Sequence, residues 1–178
     1  MEASPFFAGW ERCPSCGGRL EIEEGTASCA SCERKVYANP APTASALVLD
    51  DEGRVLLARR AGDPGAGLWD LVGGFMDEGE EPLATLRREL REETGTEIEP
   101  LEFLGGFPDR YGAEGIYTIN FYWTARIVDG EPEPSDDVAA LAWFAPQELP
   151  ERDEFAFRNT VEALEVWRSR ARSAALEK

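Results

Sequence analysis

The chain has 178 residues, enough for one well-cored domain and a small appendage. Its 35 acids and 18 bases leave a formal net charge of −17, which repels phosphate backbones and disfavours broad electrostatic binding to nucleic acid. The absence of histidine removes Ser-His and Cys-His nucleophilic catalysis and any histidine-ligated metal, leaving acid–base work to carboxylates, tyrosine, lysine or metal-bound water.

Residues 1–12 read as a short aromatic strap. They lack a basic region followed by an apolar core, and no stretch reaches membrane-spanning length, so a soluble, cytoplasmic protein is expected. Cys13-Pro14-Ser15-Cys16 and Cys29-Ala30-Ser31-Cys32 are two C-x2-C pairs twelve residues apart, the spacing of a four-cysteine zinc ribbon. Each pair makes a tight turn that aims two thiolates at one tetrahedral ion, and Gly17 suits the left-handed residue such a turn needs. Two disulfides or a redox pair would use the same residues. The expected compartment opposes the first, and the paired repeat opposes the second. Four protein thiolates leave no open coordination position, so Cys13, Cys16, Cys29 and Cys32 are expected to hold a structural Zn²⁺.

Val36–Pro42 is extended and proline-punctuated, a boundary between a ribbon at 1–38 and a larger domain at 39–178. Thr43–Leu49 reads as a buried strand and Arg54–Arg60 as a second, and the turn Asp50–Gly53 suggests a hairpin. Ala61–Gly67 is a Gly/Pro loop, and Trp69–Val72 a short strand that delivers the chain to Gly73-Gly74. Glu80-Glu81-Pro82 opens a helix that runs to Thr94 and stops at Gly95. On it Leu83, Leu86 and Leu90 share a stripe, and Glu89, Glu92 and Glu93 cluster on the next. Crowded carboxylates repel each other, which a hard divalent cation bound with substrate phosphate would relieve. Leu101–Phe107 reads as a strand and Pro108–Glu114 as a polar loop. Gly115–Ile127 alternates, with Tyr117, Ile119, Phe121, Trp123 and Ala125 on one face and Thr118, Asn120, Tyr122 and Thr124 on the other, so that the polar face can line a cleft. Val138–Phe144 is a further strand. Asp153–Ala175 reads as an amphipathic helix that turns Phe157, Val161, Leu164 and Trp167 inward.

Gly74, five residues, Glu80, seven residues, then Arg88-Glu89-Leu90-Arg91-Glu92-Glu93-Thr94-Gly95 resembles the signature of the Nudix hydrolases over residues 74–96. The departure is Thr96, where that family places a bulky aliphatic residue. The resemblance implies an α/β protein, a Nudix α/β/α sandwich with a mixed sheet, here preceded by the small zinc ribbon. It implies Mg²⁺ or Mn²⁺ held by Glu89, Glu92, Glu93 and the Gly73 carbonyl, with Arg88 orienting a box glutamate and Glu80 in support. Catalytic roles are expected for Glu93, Glu92 and Arg88. Arg59 and Arg60 are either solvated or bring one guanidinium to substrate phosphate, and Trp69 either stacks on a base or belongs to the core. With Tyr117 they are the candidate substrate-binding residues.

A ribbon ahead of such a domain is similar to the NADH pyrophosphatase group and its relatives acting on ADP-ribose or FAD. In that branch a glutamate that binds metal stands where this chain has Asp137, so the resemblance makes Asp137 a further candidate Mg²⁺ or Mn²⁺ ligand; aspartate is one carbon shorter, and Asp136 or Glu114 are the alternatives to it. The S-Q-P-W run of the NADH group is absent between Leu101 and Thr124, and where ADP-ribose enzymes tend to place a proline this chain has Arg110-Tyr111-Gly112, with Pro108 the nearest proline. The resemblance therefore implies a pyrophosphohydrolase that acts on a small dinucleotide or nucleotide-sugar, with a homodimer suggested by the family. Triphosphate sanitising, removal of NAD caps from RNA and nucleotide sensing without catalysis are the competing expectations.

Overall fold

A computed structural model describes residues 4–113 and 115–176; Glu114, one of the alternatives to Asp137, lies outside the described residues. After a 3-10 turn at Pro5–Phe7, the strands β1 (Leu20–Glu23), β2 (Thr26–Cys29) and β3 (Lys35–Tyr37) form an antiparallel ribbon. It has its own small core of Phe7, Cys13, Leu20, Ala27 and Cys29. The N-terminal strap packs into that core through the rings of Phe6, Phe7 and Trp10, whose centroids lie 5.1 to 5.8 Å apart.

The larger unit holds β4 (Ala41–Val48), β5 (Val55–Arg60), β6 (Trp69–Asp70), β7 (Val72–Phe75), α1 (Pro82–Thr94), β8 (Glu97–Arg110), β9 (Tyr117–Asp129), β10 (Val138–Phe144) and α2 (Arg158–Leu176). Four strands make a mixed sheet in the order β7-β4-β9-β8, with β4 and β9 parallel, and β10-β5-β6 make an antiparallel sheet. Successive residues of a strand point to opposite faces. Ala44, Ala46 and Val48 therefore join Leu86 and Leu90 of α1 in one core, while Leu47 joins Leu164 and Trp167 of α2 in another. The mixed sheet lies between two helices, as expected.

Helix α1 matches its sequence signals. Pro82 occupies the first turn, and Gly95 closes the helix in the left-handed region at φ 70°, its N–H donating to the Arg91 carbonyl at 3.0 Å. Leu86 and Leu90 are wholly buried and Leu83 packs at their edge, each full burial contributing about 1.5–3 kcal/mol.

Four expectations are corrected. β4 and β5 are joined at the turn by a single bridge, Leu49 to Val55, and then part into different sheets instead of forming a hairpin. The Trp69–Val72 strand breaks at Leu71, with Trp69–Asp70 pairing β5 and Val72–Phe75 pairing β4. β8 extends through Pro108–Arg110, read as loop, because Arg110 still pairs with Tyr117 and register shifts absorb the irregular residues. α2 begins at Arg158, not Asp153; Arg152–Glu154 is a separate 3-10 turn, and Phe157 precedes the helix.

Candidate active site

The two cysteine pairs fold into matching knuckles. The Gly17 N–H donates to the Cys13 carbonyl and the Glu33 N–H to the Cys29 carbonyl, both at 2.9 Å. The turning residue is left-handed in each, Gly17 at φ 73° and Glu33 at φ 58°. All four Sγ atoms lie within 4.8 Å of one another, with Cys13–Cys32 at 3.7 Å and Cys16–Cys29 at 3.6 Å. Four sulfurs at about 2.3 Å from a tetrahedral Zn²⁺ would stand about 3.8 Å apart, so the donor set fits that ion. Backbone N–H groups of Ser15 and Cys16 draw the Cys13 thiol down to about 6. At Cys32 the Arg34 N–H pulls downward, but the Cys16 sulfur, burial and the other two thiols push the group up to about 12. Cys29 is lowered as well, its burial outweighed by the backbone N–H groups of Cys32 and Ser31, so the upward push falls on Cys32 and the cluster resists collecting four thiolates without a cation.

On α1 the i, i+4 pair Glu89 and Glu93 turns into a cleft of about 330 Å³, whose wall also carries Gly73, Gly74, Asp77, Arg88, Asp136 and Asp137. Glu93 is buried, and one of its carboxylate oxygens accepts the Gly73 N–H at 3.0 Å. Burial, then the hydrogen bond and charge of Asp137, push its pKa to about 9, against the pull of that N–H. Glu89 is also raised, by burial first, with Arg88 opposing. Gly74 is the contact that admits Glu89: a Cβ there would stand 2.5 Å from the Glu89 carboxyl carbon.

Arg88 ties the acids together. Its Nε and Nη2 grip both oxygens of Glu80 at 3.0 and 2.9 Å, and its Nη1 reaches Glu89 at 2.7 Å and Glu92 at 3.1 Å. Glu80, which also accepts from Thr85 Oγ1 and the Asp77 N–H, is held down at about 2, chiefly by Arg88. Glu92 stays on the solvent side of Arg88, outside the cleft lining.

The polar face of β9 does line the cleft, through Thr118, Asn120 and Tyr122. Asn120 accepts from Thr43 Oγ1 and donates to Thr118 Oγ1 at 2.9 Å. Among the candidate substrate residues only Arg60 is in the lining. Arg59, next to it on a strand, points the opposite way, where its Nε donates to the Gly67 carbonyl at 2.8 Å and its guanidinium covers Trp69. Trp69 packs edge-on against Phe144 in the α2-side core, and Tyr117 is 55% exposed beneath Arg110. The lining residues that sequence reasoning missed include Asp70, Asp109, Tyr111, Phe157 and Asn159. A charged residue inside the apolar run Trp69-Asp70-Leu71-Val72 was the available signal for Asp70. Nothing local marks Tyr111 or Phe157.

The NUDIX domain family matches residues 39–164. The chain is 33% identical over 145 residues to the NAD-capped RNA hydrolase ndx-9 of Caenorhabditis elegans, covering 80% of this chain and 38% of that protein. It is 29% identical to the NAD-capped RNA hydrolase NudC of Pseudomonas aeruginosa, covering 78% and 49%. It therefore spans less than half the length of either relative. A crystal structure of a NUDIX hydrolase from Nitrosomonas europaea shares 28% identity and superposes with a TM-score of 0.69 over 86% of this chain and 88% of that one.

Proposed function

The chain belongs to the NUDIX domain family, and from that premise we propose that it is a metal-dependent pyrophosphohydrolase that cleaves the diphosphate of a nucleoside diphosphate linked to X, as in NADH, ADP-ribose or FAD, to give AMP and a phosphorylated product. The observation that carries this reading is the buried Glu93 carboxyl beside Asp137 and Glu89, facing the cleft at Gly73-Gly74. Mutually repelling carboxyls in a low-dielectric wall fit hard divalent cations. Glu89, Glu93, Asp137 and the Gly73 carbonyl would hold Mg²⁺ or Mn²⁺, with Glu92 at the rim sharing a second ion. When bound, such an ion neutralises phosphoryl oxygens and acidifies a coordinated water.

The chain's own groups supply the alignment. Arg88 fixes Glu89 from one side while its bidentate grip on Glu80 keeps the guanidinium from swinging into the cleft. The Gly73 N–H orients Glu93, leaving its second oxygen for an ion or for the proton of the attacking water. Residues 1–38 act as a separate ribbon, and Zn²⁺ on the four cysteines is structural.

The test is a panel of NADH, NAD⁺, ADP-ribose, FAD and nucleoside triphosphates with Mg²⁺ and with Mn²⁺, in which AMP should appear from at least one ADP-X compound. Glu93→Gln should cut turnover about a thousandfold or more with the fold intact; near-normal turnover removes Glu93 from its role. The names of the two curated relatives favour a second reading, in which the NAD diphosphate stands at the 5′ end of an RNA. The net charge of −17 opposes an RNA path. Faster cleavage of NAD-capped RNA than of free NAD⁺ would establish that reading.

A further inference from the structure

Arg60 is held in the cleft wall at several points. Its Nε donates to the Pro64 carbonyl at 2.8 Å and its Nη2 to the Tyr111 hydroxyl at 3.1 Å. Its guanidinium lies over the rings of Tyr111 and Phe157, at 5.8 and 5.3 Å, and those rings stack at 5.5 Å and 21°. Its third nitrogen, Nη1, stands 3.6 Å from Asp70 Oδ2, too far for a hydrogen bond but close enough to neutralise the charge. Asp70 is fixed without Arg60, because its Oδ1 accepts from the Leu71 N–H at 2.8 Å and from Thr160 Oγ1 at 2.6 Å.

We propose that the Arg60–Asp70 pair and the Tyr111–Phe157 wall form a subsite for a planar heteroaromatic ring, read through its hydrogen-bonding edge, so that Arg60 recognises the base half of the substrate and not its phosphates. Arg60 Nη1 and Asp70 Oδ2 set a donor beside an acceptor on the cleft wall, with hydrogen-bonding capacity left on both. Adenine and a nicotinamide carboxamide each present the complementary acceptor–donor edge. A phosphate presents acceptors only, and docked on Nη1 it would bring its negative oxygens against the Asp70 carboxylate. Because Tyr111 and Phe157 stack on one another, a bound ring would lie against an outer face of that pair, continuing the stack.

This rests on the nucleotide-hydrolase reading, and its test is separable from it because nucleosides carry no phosphate. Adenosine, nicotinamide riboside and ribose are titrated into the full-length protein by calorimetry without added divalent cation, and inorganic pyrophosphate is titrated with Mg²⁺. One of the two nucleosides should bind at least about tenfold more tightly than ribose, and which one does so identifies the ring. Arg60→Lys keeps the charge but loses the planar fork. It should weaken the nucleoside about tenfold and leave pyrophosphate binding unchanged, while Tyr111→Ala should weaken the nucleoside with a retained thermal unfolding transition. If neither nucleoside is preferred over ribose, or if Arg60→Lys spares the nucleoside and weakens pyrophosphate, the proposal is overturned. The hydrolase reading fails separately, through absence of metal-dependent AMP release from the whole panel.

Discussion

Gly74 and Glu89 touch across a gap that no Cβ could share, yet the atoms it would meet are the end of a flexible side chain. Gly74→Ala should therefore leave the unfolding midpoint nearly unchanged while displacing the Glu89 carboxylate and lowering metal-dependent turnover about tenfold or more. Gly73 differs: at φ 146° a Cβ would stand 2.3 Å from the Ala44 carbonyl oxygen, so Gly73→Ala strains backbone against backbone. Glu93 makes a second prediction at this scale. Its carboxyl rises from an ordinary 4.5 to about 9 in the metal-free fold. The folded state therefore holds a proton that the unfolded chain has released, and the resulting stability is full below 4.5 and lost as pH rises towards 9. A divalent ion must displace that proton. Calorimetry in buffers of differing ionisation enthalpy should show about one proton released per chain on Mn²⁺ binding near neutral pH, with affinity rising as pH rises. Binding without proton release would count against the assigned ligand. The glutamates were legible in sequence because helical spacing alone brings Glu89 and Glu93 to one face. Arg60 could be separated from Arg59 only once the strand face was known, and Tyr111 and Phe157 meet through long-range packing that leaves no local mark.

At the scale of elements, the end of α1 explains how Thr96 replaces a bulky aliphatic residue. Thr94 and Thr96 are both wholly buried. Thr94 Oγ1 donates to the Leu90 carbonyl at 2.5 Å, so the 2.7 Å contact between the two hydroxyls requires Thr96 to donate to Thr94. The consequence is an asymmetry. Thr94→Val strands the Thr96 hydroxyl in the core and should cost about 1–3 kcal/mol, whereas Thr96→Val removes only the outer donor and should cost less than about 1 kcal/mol. The double variant should be close to Thr96→Val in urea unfolding; strictly additive costs would contradict the relay. The same helix shows what local sequence can specify, since capping residues and a leucine stripe fix an element wherever it docks. Pairing is a different matter. The Asp50–Gly53 turn is real, but strands buried on both faces carry no alternation that would reveal their partners, so the hairpin inferred from it became two strands in separate sheets.

Across the whole molecule, the described hydrogen bonds and ion pairs of residues 4–39 stay within that segment, and its core shares no member with the two cores of the larger unit. None of the described helices is long and apolar enough to cross a membrane. A ribbon of three short strands around five buried residues is too small to hold itself by hydrophobic burial alone, so its order should depend on the ion that its thiols surround. The larger unit buries leucines on both sides of its sheet and has no such dependence. Chelation of zinc should therefore raise amide exchange across residues 10–38 to that of an unfolded chain, while the amides of α1 and of β4 keep their protection and pyrophosphate with Mg²⁺ still binds. Freshly purified reduced protein should contain one zinc per chain. Loss of protection in α1 along with the ribbon would mean that the two units fold as one, and the separate cores would then be a division of packing without a division of stability.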